Sequence, residues 1–96
     1  MNCWDDQLVE SDHRERAEQA WGRDAQINKA AEECSELSAA LNRMLNGQQD
    51  RDELLREYVD ARLMLWQLEL LFDVDEMEEA LDVALDDLDE RLEVFG

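Results

Sequence analysis

The chain reads as an all-α fold, on three observations. Its 96 residues include no Pro and only three Gly, one of them terminal, so little interrupts a helix. Ala, Leu, Glu and Arg, all good helix formers, are abundant. The apolar residues recur at spacings of three and four, and no strand-like alternation, internal repeat or linker appears. A chain of this length suits one domain, residues 1–96, with a modest core if it folds alone. Residues 1–11 carry no periodic signal and read as a flexible N-terminal tail.

Four helices follow in order. Asp12 with Glu15 three residues on resembles a capping box and starts a short first helix through Trp21, ended by Gly22. Asp24 opens a second, with an apolar stripe at Ile27, Ala30, Ala31, Cys34, Leu37, Leu41 and Leu45, and Gly47 stops it. Asp50 and Glu53 form the next capping box, and the third helix runs through about Phe72. Asp75 and Glu78 open the fourth, striped at Met77, Leu81, Ala84, Leu85, Leu88, Leu92 and Phe95. Late in the third helix, Leu63, Met64, Leu65, Trp66, Leu68, Leu70, Leu71 and Phe72 cover nearly the whole circumference. A helix apolar all round must be buried all round, and four short helices of one chain cannot do that. The expectation is therefore a helical homodimer or homotetramer.

Charge narrows the partners. Against 27 acids stand nine basic residues, with Lys29 the only lysine, for a net charge of −18. No basic patch exists to displace counterions, which excludes direct duplex binding. A fold this acidic repels itself in dilute buffer, and salt relieves that within about 10 Å at 0.1 M. The composition fits a salt-adapted cytoplasmic protein, or an acidic protein that mimics nucleic acid or binds a basic partner. The opening Met1-Asn2-Cys3-Trp4-Asp5-Asp6 has neither the basic start nor the apolar stretch of a signal peptide. The run Leu63–Leu71, interrupted by Gln67 and Glu69, is too short to span a bilayer, so no membrane role is expected. Cys3 and Cys34 read as free thiols of a reducing cytoplasm.

Two acidic clusters carry the chemistry. Glu32-Glu33-x-x-Glu36 and Glu57-x-x-Asp60 are mirror images about Asn46-Gly47: Glu33 pairs with Asp60, and Glu36 with Glu57. If the flanking helices run antiparallel, four carboxylates converge, an arrangement too repulsive to keep without a cation. Each couple is i, i+3 on one helix face and can share a ligand. In so acidic a chain a cluster of this type recurs by chance about twice. Asp75-Glu76-x-x-Glu79 and Asp86-Asp87-x-x-Glu90 are such recurrences, but only the first pair is matched across a turn beside an apolar stripe.

These residues resemble the MazG-type all-α nucleoside triphosphate pyrophosphohydrolase superfamily, whose pattern is EExxE, a gap, then ExxD on two antiparallel helices. Here it reads Glu32-Glu33-Cys34-Ser35-Glu36, a gap of 20 residues, and Glu57-Tyr58-Val59-Asp60. The flanks agree at Trp21-Gly22, Gln26-Ile27-Asn28-Lys29-Ala30, Glu36-Leu37 and Leu63-Met64-Leu65-Trp66-Gln67-Leu68, so the likeness covers about residues 21–72. The resemblance implies a four-helix unit that assembles as a dimer or tetramer. It also implies hydrolysis of a (deoxy)nucleoside triphosphate to monophosphate and pyrophosphate, with Mg²⁺ essential and Mn²⁺ a substitute. By that analogy Glu33, Glu36, Glu57 and Asp60 hold the metal, and Glu32 is a further ligand or orients water. Relatives often carry basic residues near the C-terminus, where this chain keeps only Arg91. Position 56, commonly acidic in relatives, is Arg56. Arg56 and Arg91 are then candidate phosphate contacts, or charge balance.

Other residues admit two readings. Lys29, one turn before Glu33, serves phosphate or an ordinary i, i+4 ion pair. Trp21 is a base-stacking ring or a plug at a helix start, and Asn28 offers an amide for discrimination. Trp66, mid-stripe, reads as core, and His13 as solvated. No Ser/His/Asp or Cys/His nucleophile system is present. Beside the pyrophosphohydrolase stands a non-catalytic class: a helical oligomer that senses nucleotides through the same metal site, or that occupies a basic partner.

Overall fold

The computed structural model describes residues 3–8, 11–48 and 50–95. All regular structure in the described residues is helical: α1 (Cys3–Leu8), α2 (His13–Leu45), α3 (Arg51–Leu68), a 3₁₀ turn (Glu69–Leu71) and α4 (Val74–Phe95). Part of the expected N-terminal tail is thus the short helix α1, Ser11 follows outside any helix, and positions 1, 2, 9 and 10 lie outside the described residues. No helix of the described residues is long and apolar enough to cross a membrane.

Local chemistry accounts for most boundaries. The expected first and second helices form one element, α2, kinked at Gly22, whose φ of 79° and ψ of 170° only glycine adopts without strain. Its C-terminus closes as a Schellman motif: Gly47 at φ 71° donates to the Met44 carbonyl, and Gln48 donates to that of Arg43 at 2.8 Å. Asp50 caps α3, its carboxylate accepting from Glu53 N–H at 2.8 Å. Two caps differ from expectation. Asp12 precedes α2 without a side-chain cap bond and turns to Arg16 at 3.4 Å instead. The fourth helix starts two residues early, since Glu76, not Glu78, reaches back, accepting from Asp73 N–H at 3.1 Å.

The packed unit is the antiparallel α2–α3 hairpin. On α2, Gln26, Ala30, Glu33, Leu37, Ala40 and Met44 form the inward seam, a 4-3-4-3-4 spacing. On α3 the facing seam is Leu54, Glu57, Ala61, Met64 and Leu68. Ala30, Ala40 and Ala61 are nearly or wholly buried and let the backbones approach closely. The expected α2 stripe is therefore turned by one residue, about 100°. Cys34 and Leu45 lie outside, and Leu41 is half exposed. The reason is that α2 has two packable faces, and the one that takes α3 is the one where Ala30 and Ala40 let the helices approach closely.

Trp66 is core, as its place in the stripe suggests: it is 9% exposed, with the Arg14 guanidinium 4.4 Å over its ring and Arg14 bonded to Glu69 at 2.9 Å. Helix α4 buries none of its side chains, and Leu81, Leu85, Leu88 and Leu92 stay open along one stripe. Among the described residues, full burial is thus confined to α2 and α3 and closes no four-helix core.

Candidate metal centre

Where the two seams meet, polar residues replace apolar ones. Glu33 from α2 and Glu57 from α3 occupy seam positions, and Glu36 flanks them one turn on. Carboxylate oxygens of Glu33, Glu36 and Glu57 all lie within 4.8 Å of one another. Glu33 is buried, Glu57 half-buried and Glu36 exposed, so the cluster is closed on the hairpin side and open to solvent on the other. Oε2 of Glu33 and Oε2 of Glu57 are buried and without a hydrogen-bond partner. A buried carboxylate oxygen left unpaired is costly.

One cation already stands beside this cluster. Lys29 Nζ lies 3.3 Å from Glu33 Oε1 and 3.6 Å from Glu32 Oε2. Its hydrogen bond to Glu33 and the charges of Glu33 and Glu32 hold the ammonium above its usual 10.5. Two ionised carboxylates at this separation repel by about 3 kcal/mol at an effective dielectric of ~20, less where Glu36 meets water. Lys29 offsets one such charge and reaches the other Glu33 oxygen, so Glu33 Oε2 and Glu57 Oε2 still lack a partner. Three converging carboxylates with two orphaned oxygens suit a hard, oxygen-seeking divalent cation.

The remaining expected site residues fall in different places. Asp60, one turn after Glu57, is exposed and lies outside the three-carboxylate group. Glu32 is exposed and held by Lys29. Trp21 is 66% exposed at the kink, while Asn28 and Arg56 are exposed on their helices. Arg91 pairs with Asp87 at 3.2 Å on α4. The acidic recurrences on α4 are exposed, and among the described residues they bring no three ligand atoms together.

Two residues escaped the sequence reading. Gln26, 4% exposed on the α2 seam, and Gln67 on α3 each bury an Oε1 without a partner. Both line a cavity of about 340 Å³ with Trp21, Ala25, Lys29 and Met64. The signal for Gln26 was its heptad spacing to Ala30, Glu33 and Ala40, which places it inward. No family model matches the chain, and no curated protein or solved structure does either.

Proposed function

We propose that the chain is a Mg²⁺-dependent nucleoside triphosphate pyrophosphohydrolase of the MazG type, cleaving a (d)NTP to its monophosphate and pyrophosphate in cytoplasmic nucleotide-pool housekeeping. The observation that carries this reading is the convergence of Glu33, Glu36 and Glu57 within 4.8 Å, with two buried, unpartnered oxygens. Bound Mg²⁺ would supply neutralisation of the polyphosphate and an acidified water. Glu33, Glu36 and Glu57 would hold it, and Asp60, one turn further along α3 and outside that group, would be the fourth carboxylate once its side chain turned inward. Lys29, now paired with Glu33, would be the cationic side chain beside the bound phosphates, and Glu32 would orient water. A protein of net charge −18 has particular need of the metal, because its own field repels a triphosphate.

The assembly reading has its own support. The chain exposes 7831 Å² at 11.3 kDa, where a compact monomer of that mass exposes about 5,700 Å². Its radius of gyration is 16.0 Å, against about 12.5 Å for a compact domain of this length. An excess of roughly 2,000 Å² is on the scale that obligate homodimer interfaces cover. The open stripes are the outer face of α2 at Leu41 and Leu45, the end of α3 at Leu70 to Phe72, and α4 from Leu81 to Leu92. A homodimer or homotetramer that sheathes them completes the helical unit.

Incubating the protein with a panel of triphosphates and Mg²⁺ in molar salt tests the activity. Monophosphate and pyrophosphate are the expected products. Diphosphate and orthophosphate as first products would reject the reading, and cation binding without turnover of any triphosphate would favour the nucleotide-sensor alternative.

A further inference from the structure

A groove of about 700 Å³ runs along α3, bounded by α1 and by the part of α2 before the kink. Val59 and Leu63 form its floor, each about 160° round α3 from Ala61 on the seam. Ala17 and the rings of Trp4 and Trp21 line it further, with His13 and Arg16 among its polar residues. The chain has 27 acids, yet none of the described residues that line this groove is one. Arg16 meets Asp12 at 3.4 Å with both side chains well exposed, a pairing worth little. The groove is open: Val59 is 39% exposed.

Helix α4 is its complement. Leu81, Leu85, Leu88 and Leu92 make one apolar stripe, and no α4 residue is buried or lines the groove. Between Val74 and Phe95 ten acids stand against one base, Arg91, which is tied to Asp87 at 3.2 Å. Two such helices paired with each other would set like charges face to face. An apolar groove with His13 and Arg16 beside it takes the same stripe without that penalty. The lengths agree as well. Val59 to Gln67 spans eight residues of α3, about 12 Å, and Leu81 to Leu88 spans seven of α4, about 10 Å.

Within one chain the two surfaces do not meet. Glu76, accepting from Asp73 N–H at 3.1 Å, fixes the start of α4 where it leaves α3. Each chain therefore offers both halves of an interface, and a two-fold pair satisfies both at once. The surface each chain exposes beyond a compact monomer, roughly 2,000 Å², is enough for such an exchange to cover. We propose that α4 of one copy docks in the groove between α1, α2 and α3 of a second copy, and reciprocally. The inference rests on the assembly reading, to which it gives two named surfaces, and not on the metal or the reaction.

Complementation between two variants in molar NaCl tests it. Val59→Glu puts a charge in the groove and Leu85→Glu puts one on the α4 stripe, both at positions open in the single chain. Fluorescence transfer between differently labelled copies gives the dissociation constant of each pairing, and circular dichroism checks helical content. If Val59→Glu loses helix, Ala20→Glu, at an exposed position of the same groove, replaces it. Each variant should associate with itself at least about tenfold more weakly than wild type does, since every such interface it forms buries a charge. The mixed pair keeps one intact interface, α4 of the groove variant in the groove of the α4 variant. It should associate at least about tenfold more tightly than either variant with itself. A mixed pair no tighter than the variants alone would overturn the proposal and leave α4 to its own chain or to another protein. So would a groove variant that associates like wild type, which would pair α4 with α4, or a Leu85→Glu protein that does the same. Wild type that does not associate removes the assembly reading with the inference, whereas assembly without the mixed-pair gain removes the inference alone.

Discussion

Lys29 Nζ sits 3.3 Å from Glu33 Oε1, so the only lysine in the chain is the built-in counterion of the most buried carboxylate among the described residues. This pairing makes Lys29 a competitor of any metal at Glu33. Lys29→Met should therefore lower the melting temperature without divalent cation, yet tighten apparent Mn²⁺ affinity several-fold in a thermal titration. Weaker Mn²⁺ binding in the variant would show that Lys29 supports the site and does not compete with it.

The same pair fixes a pH dependence. Lys29 is raised above its usual 10.5 by Glu33 and Glu32, so the folded state holds its proton more tightly than the unfolded state. The contribution is fully present below 10.5 and lost as pH rises through the raised value. The melting difference between wild type and Lys29→Met should stay level from pH 7 to 9 and shrink above 10.5. A difference that already falls between pH 7 and 9 would assign the effect to another group.

Gly22 holds the kink that sets Trp21 relative to the carboxylates. Its φ of 79° and ψ of 170° penalise any side chain, although a Cβ there would meet nothing within 4 Å. Gly22→Ala should thus cost backbone strain alone, about 1–3 kcal/mol, and lower the melting temperature by at least ~4 °C. An unchanged melting temperature would mean that the kink straightens at no cost.

Light scattering in molar NaCl should find at least a dimer. Leu41→Glu on the outer face of α2 or Leu85→Glu on α4 should reduce the assembly, because each places a charge on an apolar stripe that the single chain leaves open. A monodisperse species of 11.3 kDa would remove the oligomer from the account.

The helices and the acidic mirror were legible in the sequence because both are local or periodic signals. Gly47 stops α2, Asp50 caps α3, and Glu33, Glu36 and Glu57 converge across the turn. What the sequence hid was the choice between faces. Periodicity weights large apolar residues, so beside Ala30 and Leu37, which do face α3, it selected Ile27, Cys34, Leu41 and Leu45, whereas the seam continues through Gln26, Glu33 and Ala40. A seam holding Gln and Glu is read as an outer face until its partner helix is seen. The start of α4 was ambiguous for a simpler reason: Asp73/Glu76 and Asp75/Glu78 both fit an Asp-x-x-Glu cap, and only backbone geometry separates them. Asp60, symmetric with Glu33 in sequence, stays outside the cluster because mirror symmetry fixes height along the hairpin and not the direction in which a side chain turns.

The central claim, that Glu33, Glu36 and Glu57 hold a divalent cation between α2 and α3, is tested most directly by thermal melting. Mg²⁺ is compared with NaCl at equal ionic strength in wild type, Glu33→Gln, Glu57→Gln and Glu76→Gln. At tenfold excess over Kd, a cation that binds only the folded state adds about 1.4 kcal/mol, or roughly 5–10 °C for a chain of this size. Wild type and Glu76→Gln should show that rise beyond the NaCl control, and Glu33→Gln and Glu57→Gln should lose it. A rise of equal size in all four proteins, or none beyond NaCl in wild type, would contradict the account.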